Sequence, residues 1–145
     1  MSDHDAHCIA WVFAAIASSL PEGGNRVAEV IDSADFIAGA TLSRSELEHG
    51  VRDLTSARLI GAGGDPFAVT ETGRKLYEQV VRDYEKAYAR TGHVDGIQLA
   101  QEALGPIPCA VNSQGWSVSQ QRWDEAIATA RATAEKNVRD LRHGR

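Results

Sequence analysis

The sequence predicts a mainly helical protein that contains one small β-hairpin and ends in a long helix. Through most of its 145 residues, apolar side chains recur every three or four positions, which is the period of an amphipathic helix. Residues 58–69 break this pattern, because two short apolar runs flank the turn-forming sequence Gly-Gly-Asp-Pro. The hydrophobic fraction of 43% is enough for one core, so we expect one compact domain with an appended helix.

Three helices are predicted before the hairpin. The first stops at the Pro-Glu-Gly-Gly sequence of residues 21–24, and the second follows Asn25 as its N-cap and ends before Gly39. The third begins at Ser43, because Ser43 and Glu46 form a capping box in which each side chain satisfies a backbone N–H. The apolar stripe of this third helix consists of Leu47, Val51 and Leu54.

The hairpin is predicted to pair residues 59–62 with residues 67–69. Thr70 then caps a fourth helix that runs to about Arg90. A weaker helix follows at residues 94–104, and a connection containing Gly and Pro leads from there to the last helix.

The last helix is predicted from residue 119 to about residue 142. Its apolar residues form a narrow stripe, close to the seam of a coiled coil, so we expect this helix to hold a homodimer together. The predicted dimerisation residues are Trp123, Ile127, Ala130, Ala134, Val138 and Leu141.

The stretch LSRSELEHGVRDLTSARLI followed by FAVTETGRKLYEQV resembles the winged-helix DNA-binding proteins of the MarR-like and PadR-like regulators. In those proteins a recognition helix ends in Leu-Ile, a hairpin wing follows, and a Leu/Val-Thr-x-x-Gly step opens the next helix. Residues 69–73 are similar to that step. The chain also resembles a group of uncharacterised bacterial winged-helix proteins. The resemblance implies a winged helix-turn-helix domain over residues 1–90 and a helical extension over residues 91–145, which carries the dimerisation helix.

The resemblance makes residues 43–57 the recognition helix, whose outer face would enter the major groove of DNA. Helical rotation places polar and non-acidic side chains on that face, opposite the apolar stripe. Because the hairpin turn offers Asp65 and no base, phosphate contacts would fall to the start of the fourth helix. The candidate DNA-binding residues are therefore Arg44, Ser45, His49, Arg52 and Ser56 in the recognition helix, and Arg74 and Lys75 in the fourth helix.

Composition and motifs argue against several classes of function. The net charge of −5 disfavours a general nucleic-acid binder. We see no phosphate loop, metal signature or nucleophile beside a base, so we expect no enzyme, catalytic residue, metal or cofactor. Cys8 and Cys109 lack redox or metal-ligand spacing. No apolar run approaches the roughly 20 residues that cross a bilayer, so we expect a cytoplasmic protein that does not contact membranes.

Two functions remain open. The first is a homodimeric transcriptional regulator that binds double-stranded DNA and responds to a small-molecule effector. The alternative is a protein–protein interaction or self-association module without DNA binding, which the acidic balance and the base-free turn favour. The aromatic residues that could line an effector crevice are Trp11, Tyr84, Tyr88, Trp116 and Trp123.

Overall fold

In a computed structural model, the described part of the chain comprises residues 3–18, 27–61, 67–107 and 116–142 and contains six helices. The helices are α1 Asp3–Ser18, α2 Val27–Ala38, α3 Arg44–Ser56, α4 Glu71–Thr91, α5 Gly96–Leu104 and α6 Gln120–Arg142. Each corresponds to a helix that the apolar periodicity predicts. Within α1 and α6, only the backbone is described at residues 3, 4, 133, 134, 137, 138 and 140–142.

α1 is the central helix, because every residue from position 8 to position 17 is buried. A helix that is apolar on all sides has to be covered on all sides. α2, α3 and α5 pack against α1, and α4 also touches it. The indole nitrogen of Trp11 donates a hydrogen bond to the carbonyl of Ala34 in α2 at 2.9 Å, so burial leaves this polar atom satisfied.

The capping box predicted at the start of α3 is confirmed. Ser43 Oγ accepts a hydrogen bond from Glu46 N at 3.1 Å, and Glu46 Oε1 accepts one from Ser43 N at 2.9 Å. α3 approaches α1 closely at Gly50, where a Cβ atom would lie 2.7 Å from Val12 Cγ2. The predicted apolar stripe of α3 is buried, and its residues are Leu47, Val51 and Leu54.

The predicted β-hairpin is wrong, and the winged-helix fold that depends on it is wrong as well. The described ranges contain helices and no β-strand. Between α3 and α4, the chain forms one isolated antiparallel bridge, which joins Ile60 and Val69. Gly61 and Thr70 each donate one main-chain hydrogen bond across this bridge, at 2.8 and 3.1 Å. The predicted turn at residues 63–66 lies outside the described residues.

Burial explains why the two apolar runs do not extend into strands. Arg58 has a φ of 61°, a left-handed conformation that turns the chain from the end of α3 directly toward the core. Leu59, Ile60 and Phe67 are then buried among the helices. An isolated pair of such short strands is marginally stable at best, so side-chain packing decides the conformation of this segment.

The caps of α4 agree with the sequence. Thr70 Oγ1 accepts a hydrogen bond from Gly73 N at 3.1 Å, and Gly92 ends the helix with a φ of 70°. α4 packs on α5, α5 packs on α1, and α6 packs along α2. Both helices of the predicted extension thus contact helices of the predicted domain over residues 1–90. The division between the two stays a prediction.

Candidate functional site

One flank of α3 is covered by residues 116–119, a non-helical segment that leads into α6 and is called the strap below. Three α3 side chains, spaced four residues apart, contact its backbone. Arg52 Nε donates to the Trp116 carbonyl at 3.1 Å, and Arg44 Nε donates to the Val118 carbonyl at 2.7 Å. Between them, Glu48 Oε2 accepts a hydrogen bond from Val118 N at 2.9 Å.

Two apolar side chains of the strap, Val118 and Trp116, also hold it in place by packing against the rest of the protein. Val118 is only 2% exposed. The ring of Trp116 meets the ring of buried Phe67 edge to face, with centroids 5.1 Å apart and an interplanar angle of 71°. Ser117 and Ser119, the alternate residues, are exposed. This alternation is that of an extended strand with one face buried.

A buried polar cluster lies on the other edge of α3. Asp53 is 2% exposed, and its Oδ2 atom lies 3.3 Å from His49 Nε2. On α1, the Cys8 thiol lies 3.8 Å from the Glu46 carbonyl. Burial, as the largest cause, and the charges of Glu46, Asp5 and Asp53 together raise the pKa of Cys8 from 9.0 to about 11. A thiol held protonated in this way is a poor nucleophile.

The structure places the seven candidate DNA-binding residues in different environments. Arg44 and Arg52 contact the strap, and His49 contacts Asp53. The other four are exposed, and Lys75 among them lies 3.5 Å from Glu71. These four are Ser45, Ser56, Arg74 and Lys75. DNA binding by the seven stays a prediction, and Arg44 and Arg52 are the two that the strap holds on one flank of α3.

The predicted dimerisation stripe of α6 is partly used inside one chain. Trp123 and Ala130 are 8% and 7% exposed, and Ile127 is half-buried, because α6 packs along α2. The side chains of Ala134, Val138 and Leu141 lie outside the described residues. A homodimer through α6 stays a prediction.

α4 presents the open apolar surface of the described chain. Val81, Tyr84 and Tyr88 form one line on this helix and are 37%, 40% and 55% exposed. The two tyrosine rings stack, with centroids 6.2 Å apart and planes 8° from parallel. We call these three residues the α4 strip. Glu78 and Glu85 are exposed beside it, and neither forms an ion pair within the described residues.

Sequence reasoning missed both surfaces for identifiable reasons. The sequence predicts Tyr84 beside an effector crevice, whereas the spacing of Val81, Tyr84 and Tyr88 describes an apolar line beside the buried residues of α4. Glu48 is not among the predicted site residues, although its carboxylate accepts a hydrogen bond from Val118 N of the strap. The alternating Trp-Ser-Val sequence at residues 116–118 was the signal for an extended segment.

The five aromatic residues expected around an effector crevice do not come together. Trp11 is in the core, Trp116 lies in the strap, and Tyr84 and Tyr88 are on the surface. A cavity of about 10 Å³ between α1 and α5 has room for one water, and its lining contains no aromatic residue. Within the described ranges, no group of three or more His, Cys, Asp or Glu residues is placed to hold a metal ion.

Comparisons with known proteins identify no relative. No model of a protein family matches the sequence, and no curated protein or solved structure is detectably similar to it. The resemblance to winged-helix regulators therefore has no support beyond the quoted residues. Among the described helices, none is both long enough and apolar enough to cross a membrane.

Proposed function

We propose that this protein is a helical protein-interaction module of the cytoplasm, and that its docking surface is the α4 strip. The observation that supports this most directly is the contrast between two helices. The strap covers one flank of α3, and the exposed residues beside that flank are polar, whereas α4 exposes a valine and two stacked tyrosines. Tyrosines that are exposed before binding and buried afterwards are typical of interface hot spots.

The charges beside the strip indicate what kind of partner fits. Glu78 and Glu85 stand on the same edge of α4, two helical turns apart, with exposed Arg82 between them, so this border of the tyrosines carries two acids and one base. An amphipathic helix with apolar residues on one side and lysine or arginine at the border of that side would satisfy both features. Its apolar side chains would cover the strip, and its positive charges would face the glutamates.

DNA binding is the competing function, and its surface differs from the strip. Four of the candidate residues are exposed, namely Ser45, Ser56, Arg74 and Lys75. Arg44 and Arg52 instead donate hydrogen bonds from Nε to carbonyls of the strap. Few phosphate contacts are then available, so an interaction with DNA would be weak, and its affinity would change little with salt concentration.

The experiment measures fluorescence anisotropy of three labelled probes against the full chain. The probes are a short amphipathic helical peptide of leucine and lysine, its counterpart of leucine and glutamate, and a random-sequence DNA duplex. We expect the lysine peptide alone to bind. Truncating hot-spot aromatics costs about 2 kcal/mol or more, so the double variant Tyr84→Ser with Tyr88→Ser should lose about thirtyfold in affinity.

Phe36 provides the matched control, because this residue in α2 is 91% exposed and lies outside the strip. Phe36→Ser should leave the affinity for the peptide unchanged. If this variant lost as much affinity as the tyrosine variant, the peptide would be binding to exposed apolar residues in general and not to the α4 strip. Duplex binding at low salt that survives the tyrosine changes would favour the DNA-binding function. If light scattering gave twice the mass of one chain and the tyrosine changes abolished this dimer, the partner of the α4 strip would be a second copy of the chain.

A further inference from the structure

We infer that Tyr84, Tyr88 and Glu85 form a binding site for a guanidinium group, and that the partner helix of the α4 strip is anchored there by an arginine. This inference rests on the proposed function, because it names the side chain by which that partner is recognised. Two features carry it. The two tyrosine rings lie parallel, and the carboxylate beside them forms no ion pair within the described residues.

The two rings offer a flat cation two faces of the same orientation. Their planes are 8° from parallel, and their centroids are 6.2 Å apart. The attraction between a cation and a ring extends to about 6 Å from the ring centroid, so one group that lies over the pair interacts with both rings. A guanidinium is planar and stacks on aromatic faces, whereas an ammonium is a compact and strongly hydrated point charge. The pair of rings therefore favours arginine over lysine.

A contact with α5 holds the first of these rings in place. A Cβ atom at Gly96, the first residue of α5, would lie 3.7 Å from Tyr84 Cε2, so the ring lies against the start of that helix. Tyr88 stacks on Tyr84 from one turn further along α4. Side chains that are already held by packing lose little conformational entropy when a ligand covers them. The site is thus largely formed before the partner arrives.

Glu85 supplies the negative charge that a guanidinium requires. It lies three residues before Tyr88, so helical geometry places the two side chains next to each other on the edge of the strip. Arg82 is the base three residues before Glu85. Its Nη2 atom donates to Gln79 Oε1 at 2.8 Å, which directs this base toward the edge of α4 away from the strip. The Glu85 carboxylate therefore stays available to a guanidinium, which can bind a carboxylate through two parallel N–H groups.

Two replacements of the arginine in the partner separate the two parts of this site. Lysine keeps the positive charge but lacks the flat face and the paired donors. Citrulline keeps a flat group of nearly the same shape but carries no charge. A site made of both ring faces and a carboxylate should bind either replacement more weakly than arginine.

The test measures fluorescence anisotropy of three labelled amphipathic helical peptides against the full chain. The peptides combine leucine with arginine, lysine or citrulline. We expect the arginine peptide to bind at least about fivefold more tightly than each of the others, because stacking on the rings and paired hydrogen bonds to the carboxylate both add affinity. Equal affinity of the arginine and lysine peptides would overturn the guanidinium site and leave the proposed α4 interface standing.

Variants of the chain assign the preference for arginine to the rings and to the carboxylate. Tyr84→Leu with Tyr88→Leu keeps the strip apolar and removes the ring faces, so it should bind the arginine and lysine peptides equally. Phenylalanine at both positions keeps the faces and should keep the preference. Glu85→Gln should reduce it. Glu78→Gln, the matched control on the same edge, should weaken both basic peptides alike. A preference that survives either the leucine changes or Glu85→Gln would overturn the site.

Nuclear magnetic resonance of the tyrosine rings separates this site from the interface as a whole. The chain contains three tyrosines, and Tyr77 serves as the internal control because its ring packs edge to face against buried Phe13. Arginine amide in excess should shift the ring signals of Tyr84 and Tyr88 and leave those of Tyr77 in place, and lysine amide should shift them less. Such shifts without binding of any peptide would refute the α4 interface and support the guanidinium site. Unmoved rings would overturn the site.

Discussion

The close approach between Gly73 and the carbonyl of Leu59 leads to the most specific prediction for this fold. Gly73 lies in the first turn of α4, and a Cβ atom there would collide with that backbone oxygen. It would also lie 2.7 Å from Val69 Cγ1. The same carbonyl accepts a hydrogen bond from Thr70 N at 3.1 Å, which closes the segment between α3 and α4. Gly73→Ala therefore strains the contact that replaces the predicted hairpin.

The magnitude follows from two opposing effects. Alanine in a helix is favoured over glycine by about 1 kcal/mol, so a substitution without steric conflict would stabilise α4. Overpacking a buried site costs about 1 to 3 kcal/mol, and the upper end applies here because a backbone carbonyl cannot rotate away. We expect a net loss of about 2 kcal/mol in the free energy of unfolding. For a chain of this size that lowers Tm by roughly 4 to 8 °C.

Urea denaturation followed by circular dichroism measures the loss, and Gly96→Ala is the matched control. Gly96 also begins a helix, but its nearest neighbour is Tyr84 Cε2 at 3.7 Å, an ordinary contact. This control should be neutral or up to about 1 kcal/mol more stable. Adding Val69→Ala to Gly73→Ala should recover little stability, because the carbonyl remains. Equal stability of the two glycine variants would refute the close approach.

Three further predictions concern the core and its caps. Because burial raises the pKa of Cys8 to about 11, the folded state keeps a thiol proton that the unfolded state loses, so stability should fall as pH rises from 9 toward 11. Cys8→Ala should reduce that alkaline slope in urea titrations, and an unchanged slope would contradict the buried thiol. Gly50→Ala and Val12→Ala should each destabilise the protein, but the double variant should lose at least about 1 kcal/mol less than their sum, whereas additive losses would disprove the contact between α1 and α3. Ser43→Ala should lower the free energy of unfolding by about 1 kcal/mol through loss of the cap, and no change in the urea midpoint would argue against it.

The helices could be predicted from the sequence because their signals are local. The Ser43 and Glu46 capping box, the Thr70 cap and the Gly92 end each depend on residues within a few positions of one another. The hairpin could not be predicted in the same way. Leu59, Phe67 and their neighbours have the composition of strands, but whether they pair or bury their side chains depends on the helices around them.

The candidate sites show the same limit. Helical rotation identifies Arg44 and Arg52 as outward-facing residues of α3, and this is consistent with the structure. Helical rotation does not show whether another part of the chain covers these two side chains. The covering strap is 64 to 74 residues further along the chain, and its contacts with α3 involve the backbone, which carries no residue-specific signal. Tyr84 and Tyr88 fit a core as well as a surface by their type, so only their exposure in the folded structure separates the two.

The central position of α1 has a consequence for biosynthesis. Part of its apolar surface is buried by α5, whose last residue is Leu104. That part of the surface therefore stays uncovered until residue 104 has been synthesised. At the usual rate of about 5 to 20 residues per second, the ribosome takes roughly 4 to 17 s to travel from Ser18 to Leu104. During that interval a nascent segment with continuous apolar character is exposed in the cell. Transiently exposed apolar surface of this kind is what chaperones bind during synthesis.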